Sequence, residues 1–333
     1  MKKNFLRVSG ILLLTLLVIT ACQKNAIEKI ASATNSQKGA AVSSQENNSG
    51  CQLAYEDFPG GTTETFTYNN NGLIDKFHQN IPPAYAADAR LSYLANGHIS
   101  KADVHWISNG GRIKEYALFT YHGNNISKVS YYNSTTDELD VEILVTYNAN
   151  NQPTRFDLPI YNMYQKFNYD AAGNPVHYEF YVDNFLNAYS DYSYTKAIRN
   201  PELLLISSGL PFDFLTPWIQ DFPQLASGRS SYSWDEATSS YMQWLSFQPK
   251  NAIATNNGFG NPDLVKLFDD VAGKEIKLKY NYLNCGNVSQ SQESQSMQTN
   301  DGSGDEKILS KAERLRIIKD VMMAKIAGSN KTK

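Results

Sequence analysis

The sequence predicts an all-β protein: an antiparallel β-meander of hairpins curled into a large or barrel-like sheet, followed by a C-terminal amphipathic helix. Three observations carry this expectation. The chain is dense in aromatic residues, with 21 Tyr and 15 Phe. Apolar positions between residues 51 and 285 alternate with period two, and a tyrosine-turn unit recurs among them. Of the 333 residues, 12% are aromatic and 19% charged, and the formal net charge is −3. This composition excludes a coiled coil, a disordered tail or a collagen-like repeat. It also lacks the clustered basic excess of a nucleic-acid binder.

The N-terminus decides the compartment. Lys2, Lys3 and Arg7 precede the apolar run Ile11–Ile19, too short to span a bilayer as a helix but suited to a signal-peptide core. The run closes on Ile19-Thr20-Ala21-Cys22, which resembles the bacterial lipobox. The resemblance implies that residues 1–21 are a lipoprotein signal peptide and that Cys22 receives diacylglycerol and, after cleavage, an N-acyl chain. Two or three acyl chains anchor stably where one binds only marginally. Gln23 stands where an Asp would mark inner-membrane retention, so the expected location is the outer membrane, on its periplasmic or its outer face. Loss of the three N-terminal cations takes the mature chain from −3 to −6.

Residues 22–50, rich in Ser, Gln, Asn and Ala, read as a lipidated flexible tether with a mean reach of about 30 Å. The β-meander domain spans 51–285. Tyr68-Asn-Asn-Asn-Gly72 recurs as Tyr93-Leu-Ala-Asn-Gly97, Tyr121-His-Gly-Asn-Asn125, Tyr147-Asn-Ala-Asn-Asn151 and Tyr169-Asp-Ala-Ala-Gly173, at tyrosine spacings of 25, 28, 26 and 22. Each unit reads as a strand ending near Tyr, a turn in which Asn or Gly takes positive φ, and a returning strand. Flanking strands alternate: Val141, Ile143, Val145 and Tyr147 oppose Asp140, Glu142 and Thr146, and Ile276, Leu278 and Tyr280 oppose Glu275, Lys277 and Lys279. One buried face with period two is the signature of antiparallel sheets. The units resemble the YD repeats of Rhs-type proteins. The whole arrangement resembles a Bacteroidetes lipoprotein domain of unknown function with a porin-like fold. That resemblance brings no catalytic residues, and a lipid anchor on the same chain argues against a membrane-spanning barrel.

After Tyr194 the rhythm breaks. Pro211, Pro217 and Pro223 forbid a long helix through an apolar segment that is expected to pack across the open end or concave face of the sheet. Strands resume at Ser230–Trp234, Tyr241–Phe247 and Lys274–Leu283. Residues 286–304 are a polar linker. Residues 305–333 form a helix and tail with eight bases and four acids. Ile308, Ala312, Leu315, Met322 and Ile326 mark its apolar stripe, and it is open to docking on a membrane surface, on a partner or back on the body.

Chemistry is sparse. Cys51 and Cys285 flank the body, and a closed or nearly closed sheet brings its ends together, so a disulfide is expected; the alternative is two free thiols more than about 7 Å apart. The five histidines lack metal-ligand spacing, and no cofactor is expected. Glu138, Asp140 and Glu142 share a strand face as a weak Ca²⁺ candidate, with a solvated hairpin face as the simpler reading. No nucleophile elbow, zinc motif or phosphate loop occurs, so an enzyme is not expected. Trp234 and Trp244, beside the loop 235–240, are the ligand-stacking candidates, with core packing as the alternative. The functional expectation is a non-catalytic module binding a glycan or other extracellular ligand. The alternative is a structural or assembly partner in an envelope complex, acting through a sheet edge or the helix.

Overall fold

The computed structural model describes residues 51–285 and 309–327, apart from 59–60, 83–84, 109–110, 216–217 and 220–222. The signal peptide, Cys22, the tether and the linker lie outside the described residues. In chain order the strands are β1 (Gln52–Asp57), β2 (Thr63–Tyr68), β3 (Ile74–Ile81), β4 (Tyr85–Tyr93), β5 (Ile99–Ser108), β6 (Gly111–His122) and β7 (Asn125–Asn133). There follow β8 (Leu139–Tyr147), β9 (Pro153–Leu158), β10 (Met163–Tyr169), β11 (Pro175–Val182) and β12 (Phe185–Ser193). An insertion then carries β13 (Ile198–Arg199), helix α1 (Leu203–Ser207), β14 (Phe212–Asp213), β15 (Trp218–Ile219) and β16 (Gln224–Leu225). The wall resumes with β17 (Gly228–Asp235), β18 (Ser240–Phe247), β19 (Ile253–Asn256), β20 (Pro262–Asp269) and β21 (Lys274–Leu283), and helix α2 (Lys311–Ala327) ends the described chain.

Every neighbour in the wall is antiparallel. β1 to β12 pair in sequence order. β12 pairs with β17 and β17 with β18, after which β18 and β19 share one place beside β20. β20 pairs with β21, and β21 returns to β1. The result is a closed 16-strand barrel. Closure removes the free edges of the sheet.

The repeat turns have a common construction. At Asn69, Leu94, Asn148, Asp170 and Asn257 the amide donates to the carbonyl four residues on, and the residue three on donates back. That third residue is Gly72, Gly97, Asn151, Gly173 or Gly260, all with positive φ, the conformation that favours Gly and Asn. Asn69, Asn148, Asp170 and Asn257 brace their turns by accepting two backbone amides on the side-chain oxygen. The Tyr121 copy differs: Gly123, not Asn125, takes the positive φ, in a tight turn between paired His122 and Asn125. The 257–261 turn is a further copy, preceded by Asn256 rather than by Tyr.

The tyrosines themselves form a ladder around this rim. Each hydroxyl donates to a carbonyl near the start of the adjacent strand: Tyr93 to Ile74 (2.8 Å), Tyr121 to Ile99 (3.1 Å), Tyr147 to Ile126 (2.9 Å) and Tyr169 to Pro153 (2.6 Å). Tyr194 to Pro175 (2.7 Å), Tyr282 to Pro262 (2.5 Å) and Tyr68 to Leu53 continue it. Each bond ties the open end of a hairpin where no turn joins its strands. Burial pushes the hydroxyls of Tyr68, Tyr93, Tyr194 and Tyr282 up in pKa, and that of Tyr121 to about 12, so they remain donors.

The barrel is filled. The inward side chains Phe77, Val104, Val129, Ile143 and Phe156 are fully buried. The insertion enters the lumen as expected of an apolar, proline-broken segment: Leu205, Leu210, Phe212, Phe214 and Leu215 are buried, Phe212 packs on Phe156 and Phe214 edges onto Phe119. Many outward positions are polar or charged, with pairs such as His78–Asp88 (2.6 Å) and Lys128–Glu142 (2.8 Å), and exposed apolar side chains such as Leu118, Leu144 and Phe268 are interspersed among them. A lipid-facing wall carries instead a continuous apolar band. No described helix is long and apolar enough to cross a membrane.

Helix α2 lies against β3, β4, β5 and β8, at the rim opposite the tyrosine ladder. It begins at Lys311, where Ser310 and Glu313 form a reciprocal cap. The buried face is not the expected stripe. Ala312 is exposed and Leu315 half-buried, whereas Arg314, Ile317 and Ile318 are buried, because an ion pair rather than an apolar stripe sets the rotation of the helix. Ile308 lies outside the described residues. The carboxylate triad is likewise corrected. Glu138 pairs with Lys311 and Arg314, Asp140 is buried against Arg314, and Glu142 faces outward to Lys128. They do not share a face, since the register shifts between Tyr131 and Tyr132 opposite Asp140.

Candidate functional site

Cys51 and Cys285 are joined in a disulfide across the β1–β21 seam, 234 residues apart in sequence. The two candidate tryptophans do not make one platform. A register shift between Ser231 and Tyr232 separates their faces. Trp244 packs inward against the core with its indole N–H buried and, among the described residues, without an acceptor. Trp234 belongs to the outer wall.

Around Trp234 the wall carries an aromatic cluster. Phe185 and Tyr241 meet Trp234 edge-to-face at 5.1 and 5.3 Å. Tyr241 also edges onto Tyr189, and Tyr189 stacks on Tyr232 at 4.7 Å. Phe185 is 45% exposed. It is presented by the two-residue turn Asp183-Asn184, both of positive φ, as a tight hairpin whose twist matches its strands requires. The Tyr241 hydroxyl donates to the Leu186 carbonyl at 2.6 Å, which locks the cluster across three strands. Desolvation is the first cause of the raised hydroxyl pKa values of Tyr189 and Tyr241, so the cluster is uncharged at neutral pH. The cluster stands near the rim opposite Cys51.

A second group continues along the wall. Tyr164 and Tyr181 stack at 4.5 Å, Arg155 caps Tyr164 at 3.9 Å, and Lys166 lies over both rings. Here ring faces are consumed by each other and by cations, which leaves edges rather than faces to solvent. Sequence reasoning missed Phe185 and Tyr241 as partners of Trp234, and Tyr189 and Tyr232 as the rings that extend the cluster. The signal for Tyr232 was its spacing of two from Trp234; the others depend on strand pairing.

No family description matches the chain, and no curated protein matches it. Among solved structures, a porin-like protein from Bacteroides uniformis ATCC 8492 is similar over 69% of this chain and 95% of its own, at 9% identity and a TM-score of 0.41. A porin-like protein from Bacteroides vulgatus ATCC 8482 is similar over 70% of this chain and 99% of its own, at 8% identity and a TM-score of 0.34. A TcdB2–TccC3–Cdc42 structure is similar over 65% of this chain and only 12% of its own, at 10% identity and a TM-score of 0.24. Values this low leave residue-level function to be argued from this chain's own geometry. That geometry defines an antiparallel β-barrel with an occupied lumen and an aromatic cluster around Trp234 on its outer wall.

Proposed function

We propose that the protein is a non-catalytic binding module, held at the outer membrane by lipid on Cys22, that takes a glycan or other extracellular ligand on its outer wall. The observation that carries this reading is the Phe185–Trp234–Tyr241 cluster, held by ring packing and by the Tyr241–Leu186 hydrogen bond at the rim opposite Cys51. Edge-to-face packing orients the rings while leaving ring surface open, as stacking on a sugar face requires. A filled lumen argues against a pore. The resemblance of the lipobox, tether and tyrosine hairpins to an envelope lipoprotein domain supports the location. An assembly role through a sheet edge or the helix loses support, because the wall is closed and Ile317 and Ile318 are buried against the barrel.

Binding of the purified protein to a glycan array tests the reading. Trp234→Ala is expected to weaken any ligand found by about 1–3 kcal/mol, on the scale of base–aromatic stacking, with little change in melting temperature. An array with no hit, or a hit unaffected by Trp234→Ala, overturns the glycan reading. Cys22→Ala is expected to move the protein from the detergent to the aqueous phase; unchanged partitioning refutes the anchor.

A further inference from the structure

Two elements pack inside the wall. The insertion packs beneath β3, β7 and β9, through Gln79 to Asp213, Tyr131 to Phe214 and Phe212 on Phe156. Helix α2 covers β3, β4, β5 and β8. On β12, β17 and β18 the inward side chains Ala188, Tyr192, Arg229 and Trp244 remain only half-buried. They line the inner sector of the wall on these three strands, with Ala188, Tyr192 and Trp244 packed at the margin of the core.

Arg229 stands in this sector without a carboxylate at ion-pair distance among the described residues. Its Nε donates to Ser231 Oγ at 2.7 Å and its Nη2 to Ser190 Oγ at 3.3 Å, and the two serine hydroxyls bond each other at 2.8 Å. These neutral, buried contacts fix the guanidinium plane and leave Nη1 uncommitted. The ring of Tyr192 lies 5.3 Å to one side and that of Trp244 5.7 Å to another. The indole N–H of Trp244 is buried and, among the described residues, has no acceptor. The free N–H groups of Arg229 are left to water or to an anion, and a charge-assisted bond to an anion is the stronger of the two.

We propose that this sector of the lumen binds the carboxylate of a small organic acid, seated on Arg229 between Tyr192 and Trp244. A planar carboxylate matches the planar guanidinium. A phosphate dianion is disfavoured, since Arg229 is the one cation among Ala188, Tyr192, Arg229 and Trp244. The two rings give apolar walls to the organic body of the ligand. The site is separate from the outer-wall cluster, because Arg229 and Trp234 face opposite sides of β17.

Titration of the full-length protein with glucuronate, acetate, glucose and inorganic phosphate tests this, read by calorimetry and by tryptophan fluorescence. Glucuronate is expected to bind saturably and to perturb Trp244, while glucose and phosphate do not. Acetate binding as well as glucuronate assigns recognition to the carboxylate alone; weaker acetate binding assigns part of it to the sugar-like body. Arg229→Gln is expected to lower affinity at least about tenfold, the scale of a charge-assisted hydrogen bond. Should that variant melt early, Arg229→Lys keeps the charge but loses the planar fork, and is expected to bind measurably but more weakly. Trp234→Ala is expected to leave lumen binding unchanged, which separates this site from the outer-wall reading. Absence of saturation, equal binding of glucose, or unaltered affinity in Arg229→Gln and Arg229→Lys overturns the proposal.

Discussion

Arg314 of the C-terminal helix closes on Asp140 of the barrel with two bonds, Nε to Oδ2 at 2.7 Å and Nη2 to Oδ1 at 2.8 Å. The Asp140 side chain is 0% exposed and that of Arg314 8%. Arg314 also donates to the Leu309 carbonyl, and Tyr161 donates to the Leu315 carbonyl. A polar latch, with Ile317 and Ile318 beside it, thus holds the helix on its rim.

Breaking that latch from one side leaves a buried charge. Arg314→Met is expected to destabilise the protein by about 3–5 kcal/mol, because Asp140 loses its partner without leaving the interior. Arg314→Met with Asp140→Leu is expected to recover most of that loss. Thermal melts of the two single variants and the double variant give the coupling; simple additivity contradicts the latch.

Glu115 sits behind the latch and accepts the Trp106 indole N–H at 2.8 Å. Burial first, then the charge of Asp140, hold its carboxyl well above the ordinary 4.5, against the lowering effects of Trp106 and Arg314. A folded-state pKa above the unfolded one means that the folded state holds the proton more tightly. Its contribution to stability is present below the unfolded value and is lost as pH rises toward the folded value. Glu115→Gln, whose carbonyl can still accept from Trp106, is therefore expected to flatten the decline of stability above pH 4.5. Chemical denaturation across that window checks the sign, and an unchanged slope rejects the assignment.

The tyrosine ladder makes a graded prediction. Tyr93→Phe and Tyr147→Phe each remove one hydroxyl and keep the ring. Each is expected to cost about 1 kcal/mol, rising toward about 3 kcal/mol where the released carbonyl stays buried. Hydrogen exchange should accelerate at the neighbouring hairpin end, near Ile74 and Ile126 respectively. Exchange that changes equally across the barrel contradicts a local tether.

The Cys51–Cys285 bond closes the longest loop the domain contains. Its loss is expected to lower stability by up to about 5 kcal/mol in the chain-entropy account. Both thiols should resist alkylation until a reductant is added. Modification of native, unreduced protein at both positions rules the bond out.

Much of this was legible because antiparallel hairpins write themselves locally. Val141, Ile143 and Val145 face inward as their alternation predicts, and Gly72, Gly97, Asn151 and Gly173 take the positive φ that their turns need. The turn at 257–261 and strand β20 escaped notice because Asn256 replaces the marker tyrosine. The faces of Trp234 and Trp244 could not be read, since one bulge between them inverts the alternation. The helix face was misread for a related reason. Its buried Arg314 counts as polar in any apolar periodicity, while the exposed Ala312 counts as apolar. What fills the lumen was visible only as an irregular apolar segment, because its partners lie in strands far away in sequence.

Closure of the wall through β1 and β21 also dictates an order of folding. The hairpins from β1 to β12 require only neighbouring segments and can assemble as the chain emerges, while the seam must wait for the last strand. Until then the growing sheet presents two unpaired edges at once, the state in which β proteins most readily aggregate. A chain truncated before β21 keeps those edges permanently. The final ten residues of the wall, Lys274–Leu283, therefore separate a closed barrel from an adhesive half-product.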